Sequence, residues 1–154
     1  MKNIIFLCLF TLVAAAGAGA QSPEASAPAL PVTAADTIRQ LAREHTERLR
    51  EKYALDAGQV NKMYLIQERK QRNLAEIEPL RTANPTLYRG KLNSIQQGTK
   101  ASIRRMLNTA AQQQIYQQTK AEQRKLRFAK QQELTAQGAA KALIETAVLA
   151  IYIE

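Results

Sequence analysis

Leu55-Asp56-Ala57-Gly58-Gln59-Val60 is the stretch on which the fold turns. Asp56 is a preferred helix-capping residue, and Gln59 follows at the spacing of a capping box. In that motif the cap side chain accepts from the third helical N–H, while the Gln oxygen accepts from the N–H of the cap. Leu55 just before the cap and Val60 four positions beyond it have the spacing of a hydrophobic staple. The segment therefore opens a helix. Upstream, Ile38, Leu41, Ala42, His45 and Leu49 recur on one helical face, from Asp36 to an end near Tyr53-Ala54. LDAGQV is thus the turn between two helices.

Downstream the same rhythm continues. Val60, Met63, Tyr64, Gln67, Gln71, Leu74 and Ile77 form the inner face of a second helix, with an unusually polar middle. Pro79 lacks a backbone donor and ends or kinks that helix. Asn84-Pro85 restarts the chain, with Asn as cap and Pro at the first helical position. Tyr88, Leu92, Ile95, Thr99, Ile103 and Met106 then line a third helix, weakened by Gly90 and Gly98. A fourth runs from Thr109 to about Gln137, its spaced positions being Ile115, Thr119, Glu122, Leu126, Ala129 and Glu133. Gly138 breaks it. The segment 139–154 is more apolar, with Leu143, Ile144, Ala147, Val148 and Ile151 at helical spacing. No stretch alternates apolar and polar residues as a half-buried strand would, so the fold class is all-α.

The first twenty residues have a different logic. Lys2, the apolar run Ile4 to Val13 and the small residues Ala18-Gly19-Ala20 form a secretory signal peptide over 1–20. The run is too short for a spanning helix. Cys8 lies inside it behind Phe6-Leu7, which does not fit a lipid-modified cysteine. Cleavage after Ala20 removes the only cysteine, and with it disulfides, a thiol nucleophile and thiolate metal sites. Residues 21–35, rich in Pro, Ala and Ser, are expected to form a flexible leader, 36–138 the helical domain and 139–154 an apolar C-terminal helix. The whole chain carries a net charge of +9; losing Lys2 leaves 21 basic residues against 13 acidic, about +8. Export sets aside the nucleic acid that such charge otherwise suggests and favours acidic proteins or surfaces.

A second capped start stands at Leu107-Asn108-Thr109-Ala110-Ala111-Gln112, where Thr109 and Gln112 have capping-box spacing. The pair of starts resembles the LTxxQ motif of the periplasmic Spy/CpxP family of exported helical stress proteins. Leu55 to Gln59 matches in spacing, with Asp56 in the place of Thr; Leu107 to Gln112 is one residue longer, which leaves its register open. The resemblance spans residues 36–135. It implies a periplasmic protein folded as a four-helix hooked hairpin that dimerises into a cradle. It further implies ATP-independent chaperone activity on unfolded proteins, or adaptor activity toward an envelope-stress sensor. Leu55, Asp56, Gln59, Leu107, Thr109 and Gln112 would be structural hinges.

Other features sharpen this only slightly. Few aromatics and narrow apolar stripes imply a thin core, which favours a homodimer. Basic clusters at Arg69, Lys70 and Arg72, at Arg104 and Arg105, and at Arg124, Lys125 and Arg127 are either solvated helix faces or a surface for acidic client segments. The glutamine runs 96–97, 112–114 and 117–118 are expected on a polar helix face. His45 stands alone as a ligand type, so no metal or other cofactor is expected. Without a phosphate loop, HExxH or a nucleophilic triad, no enzyme is expected. The segment 139–154 can dock on the domain, bind a partner or the dimer mate, or lie on a membrane surface.

Overall fold

The computed structural model describes residues 33–152 and Glu154; the signal segment 1–20 and positions 21–32 of the leader lie outside the described residues. Six helices follow in order: α1 Ala34–Tyr53, α2 Ala57–Ile77, α3 Leu80–Ala83, α4 Pro85–Met106, α5 Ala110–Ala136 and α6 Lys141–Ala150. No strand occurs among the described residues, and the fold is all-α.

The helix starts are local chemistry. Capping boxes open α1 (Thr33 with Asp36), α2 (Asp56 with Gln59) and α5 (Thr109 with Gln112). Asn84 caps α4 through the N–H of Leu87, with Pro85 in the first helical position. The Thr33 box was not foreseen, and it starts α1 two residues earlier than expected, taking Thr33 to Ala35 out of the leader. After α2 the chain makes the four-residue helix α3 beyond Pro79 before Asn84 redirects it with a non-helical backbone (φ −151°, ψ 81°). The final helix is also shorter than expected: it ends at Ala150, and Ile151 and Tyr152 lie beyond it in non-helical conformation.

α1 packs along α2 and α2 along α4, while α5 touches α1 and carries α6, which reaches back to α4. Although consecutive, α4 and α5 are not packed along their length. The apolar core gathers at the turn end, where Leu49, Tyr53, Leu55, Met63, Ile103 and Leu107 meet. Away from that end the interior is largely polar, with Thr46, Gln67, Lys70, Gln71, Gln96, Thr99 and Gln123 all buried. Each polar group taken out of water needs a partner, so this half of the fold depends on hydrogen bonds.

Two faces differ from the sequence expectation. On α1 the stripe runs Ala42, Thr46, Leu49, Tyr53, leaving Leu41 37% exposed. On α5 it runs Gln112, Thr119, Gln123; Glu122 and Leu126 face solvent. The packed neighbours there offer backbone carbonyls, which reward an amide over an aliphatic side chain. Gln96 and Gln112, expected on a polar face, are likewise buried.

Ala54 closes α1 in the left-handed region (φ 48°, ψ 55°), donating its N–H to the carbonyls of Arg50 and Glu51. An L-residue there is strained by about 1–2 kcal/mol, partly offset in glycine by its greater unfolded-state entropy. Ala54→Gly is therefore expected to stabilise the protein by about 0.5 kcal/mol or more, read as a higher urea midpoint at unchanged slope; a lower midpoint would contradict this backbone assignment.

Candidate functional site

The two capped turns meet. Gln59 Nε2 donates to Gln112 Oε1 at 3.0 Å, and Gln112 Nε2 donates back to Gln59 Oε1 at 2.9 Å. Each oxygen also closes its own box, Gln59 Oε1 accepting from the Asp56 N–H and Gln112 Oε1 from the N–H groups of Asn108 and Thr109. The Gln59 amide further donates to the Met106 carbonyl and to Asn108 Oδ1. The register of the second turn follows directly. Thr109 and Gln112 keep capping-box spacing; the extra residue, Asn108, lends its side chain to Gln59, and Leu107 stays buried as the α4 cap. The six motif residues thus form one joint and hold no reactive group.

The basic clusters are sorted by the helices. Arg104, Arg124 and Arg127 face a cavity of about 310 Å³ between α4 and α5, together with Lys100 and Lys120. Arg69, Lys70 and Arg105 line a second of about 400 Å³ between α2 and α4, where Arg69 donates to Ser102 Oγ at 3.0 Å. Arg72 pairs with Glu68 on its own helix, and Lys125 is exposed outside both grooves. Lys70 departs furthest from a solvated face: it is buried, with Nζ 2.5 Å from Glu154 Oε1. Arg127 is half-buried and donates to the Ile151 carbonyl and to Gln96 Oε1.

The α4–α5 groove is the most one-sided electrostatically. No carboxylate lines it, and none of its five cations forms an ion pair among the described residues. Burial, with the charges of Arg127 and Lys120, lowers the Lys100 ammonium to about 8.

Across from it the end of α6 and the segment after it are gripped from several helices. Gln96 donates to the Leu149 carbonyl at 2.7 Å, Gln123 and Arg127 to that of Ile151 at 3.0 and 2.9 Å, and Lys52 to the main-chain oxygen of Glu154 at 2.5 Å. The Tyr152 ring lies between Lys70 Nζ and Lys100 Nζ, 4.6 and 5.2 Å from its centroid. The Glu154 carboxylate enters a cavity of about 370 Å³ lined by His45, Arg48, Lys52 and Lys70, with His45 Nδ1 3.6 Å from Oε2. Burial pushes this carboxyl up, but contact with His45 and the Lys70 charge outweigh it and hold the group below its usual range.

Sequence adjacency pointed to part of this site only. Lys100 with Arg104, and Lys120 with Arg124 and Arg127, stand at i+4 and i+7, so helical spacing was the available signal for the two missed lysines. Nothing local marked Gln96, Gln123 or Glu154, whose partners lie far away in the chain. Among the described residues no group of three His, Cys, Asp or Glu could hold a metal ion. No protein family, no curated protein and no solved structure matches the chain.

The joint is testable. Gln59→Ala and Gln112→Ala each leave a buried amide short of partners and are expected to cost about 2 kcal/mol. Because they remove the same contact, the double variant should lose about 1 kcal/mol less than the sum. Strictly additive losses in urea unfolding would show that the two turns are not coupled.

Proposed function

We propose that this chain is an exported, ATP-independent chaperone or envelope-stress adaptor of the Spy/CpxP kind. It receives acidic, unfolded or misfolded client segments in the groove between α4 and α5. The observation that carries this reading is the groove itself: Lys100, Arg104, Lys120, Arg124 and Arg127 converge from two helices on one open space with no acid among them. Like charges so placed repel one another, and an acidic segment relieves that repulsion while giving up little hydration on an open surface. On α5 Leu126 and Phe128 are 46% and 61% exposed, supplying apolar contact beside the charge.

The paired capped turns support the family likeness, since the linked glutamines give the Leu…Gln motif a structural reason to occur twice. The small apolar core is consistent with a homodimer in the periplasm, where a second copy widens the cradle. The segment 139–154 admits a second reading, docking to an envelope partner or membrane surface, for which Leu143 at 56% exposure is the supporting observation. The engagement of Tyr152 and Glu154 with side chains of α1 and α2 weighs against it.

Suppression of light scattering by an aggregating acidic client, without nucleotide and at near-stoichiometric protein, tests the proposal. Wild type is expected to suppress, and Arg104→Glu/Arg124→Glu to lose most of the effect with helicity intact. Suppression should also weaken as pH rises through about 8, where Lys100 sheds its proton and the groove loses a charge. Failure of the folded wild-type protein to suppress aggregation removes this function.

A further inference from the structure

We infer that the face formed by α1, α2, α4 and α5 contains a binding site for peptide segments bearing an aromatic residue and, two positions later, a carboxylate, and that the segment after α6, with Ile151, Tyr152 and Glu154, is a built-in competitor for it. The inference takes from the proposed function only the idea that extended segments enter this face.

The grip on the segment after α6 is of a transferable kind. Three long side chains from two helices (Lys52 on α1, Gln123 and Arg127 on α5) donate to main-chain oxygens of Ile151 and Glu154, which any peptide possesses, while Gln96 on α4 holds the carbonyl of Leu149 in the last turn of α6. Side-chain readout is confined to two places. A slot between two ammonium groups accepts an aromatic ring, here Tyr152. A cavity lined by His45 and the cations Arg48, Lys52 and Lys70 accepts a carboxylate, here Glu154. Main-chain donors give tolerance, and the two pockets give a pattern.

The resident segment is a replaceable ligand. The Tyr152 hydroxyl is buried with the side chains of Thr99 and Glu154 as polar neighbours, neither in full hydrogen-bond geometry. The slot therefore reads the ring more than the hydroxyl, and a segment with Phe there serves as well. The site also adjoins the α4–α5 groove: Lys100 and Gln123 line both, and Arg127 lines the groove while holding the Ile151 carbonyl. A client drawn in by charge along the groove therefore arrives beside the segment it displaces.

The test uses the full chain and a fluorescent peptide of the sequence AVLAIYIE, amide-capped and carrying a Gly-Ser leader, in anisotropy titrations. Tyr152→Ala/Glu154→Gln, which frees the site, is expected to bind at least tenfold tighter than wild type. Arg127→Ala added to that variant should reverse the gain. The peptide with Phe for Tyr should bind at least as tightly as its parent. Equal affinity of wild type and the freed variant, at matched helicity, overturns the inference. If the freed variant does not fold, hydrogen exchange of wild type decides: saturating peptide is expected to accelerate exchange at residues 149–152, and unchanged exchange overturns the proposal. A change in sedimentation mass without peptide binding would make the site a contact between copies and also overturn it. Peptide capture without client suppression sustains the inference and sinks the chaperone function; suppression without capture does the reverse.

Discussion

Two glutamine side chains, Gln59 and Gln112, hydrogen-bonded to each other in both directions, hold the rest of the structure in place. Each closes the capping box of its own helix, so the contact ties the α1–α2 turn to the α4–α5 turn rather than one side chain to another. With both turns pinned, Leu55 and Leu107 are brought into one apolar cluster with Tyr53, Met63 and Ile103. Buried amides are stabilised modestly when paired and penalised heavily when not, which makes the joint specific. A small core suffices beneath it because the turns cannot slide.

Pinning at one end leaves the far half to be held by other means. α4 and α5 diverge from their shared turn, and the interior between the helices fills with Gln67, Gln71, Gln96, Thr99 and Gln123 instead of leucines. Such an interior is stable only while its donors are occupied. Gln96 and Gln123 direct theirs at the carbonyls of Leu149 and Ile151. The end of α6 and the segment after it are therefore part of the fold in the sense of satisfying polar groups, and only Tyr152 and Glu154 add contacts that another backbone would lack. Structural need and exchangeability have the same origin.

Every helix but the four-residue α3, their order and the two capped starts at Asp56 and Thr109 were legible in the sequence, because caps, prolines and 3.6-residue periodicity are local signals. The inner faces of α1 and α5 were read less well. Periodicity assumes that apolar residues turn inward, whereas on α5 Gln123 and Arg127 turn inward and Leu126 stays half-exposed. The reason is the partner: facing carbonyls favour amide and guanidinium groups. The basic residues were legible as clusters but not as a groove. Adjacency in sequence spreads neighbours around a helix, whereas the i+4 relation of Lys100 with Arg104 and the i+3, i+4 and i+7 relations among Lys120, Arg124 and Arg127 share a face. Lys70 was misread for a related reason, since its carboxylate partner Glu154 lies 84 residues away.

That distant pairing also fixes how charge is divided over the molecule. Glu154 neutralises part of the cationic cavity built by α1 and α2, whereas the cations between α4 and α5 have no carboxylate partner among the described residues. In the proposed function the unbalanced face would supply long-range attraction, and the balanced one would decide what is held after contact. In the exchange proposed above, an incoming segment would remake the main-chain contacts it displaces, so those contacts cancel and the balance rests on its own side chains, with no place for a nucleotide in it.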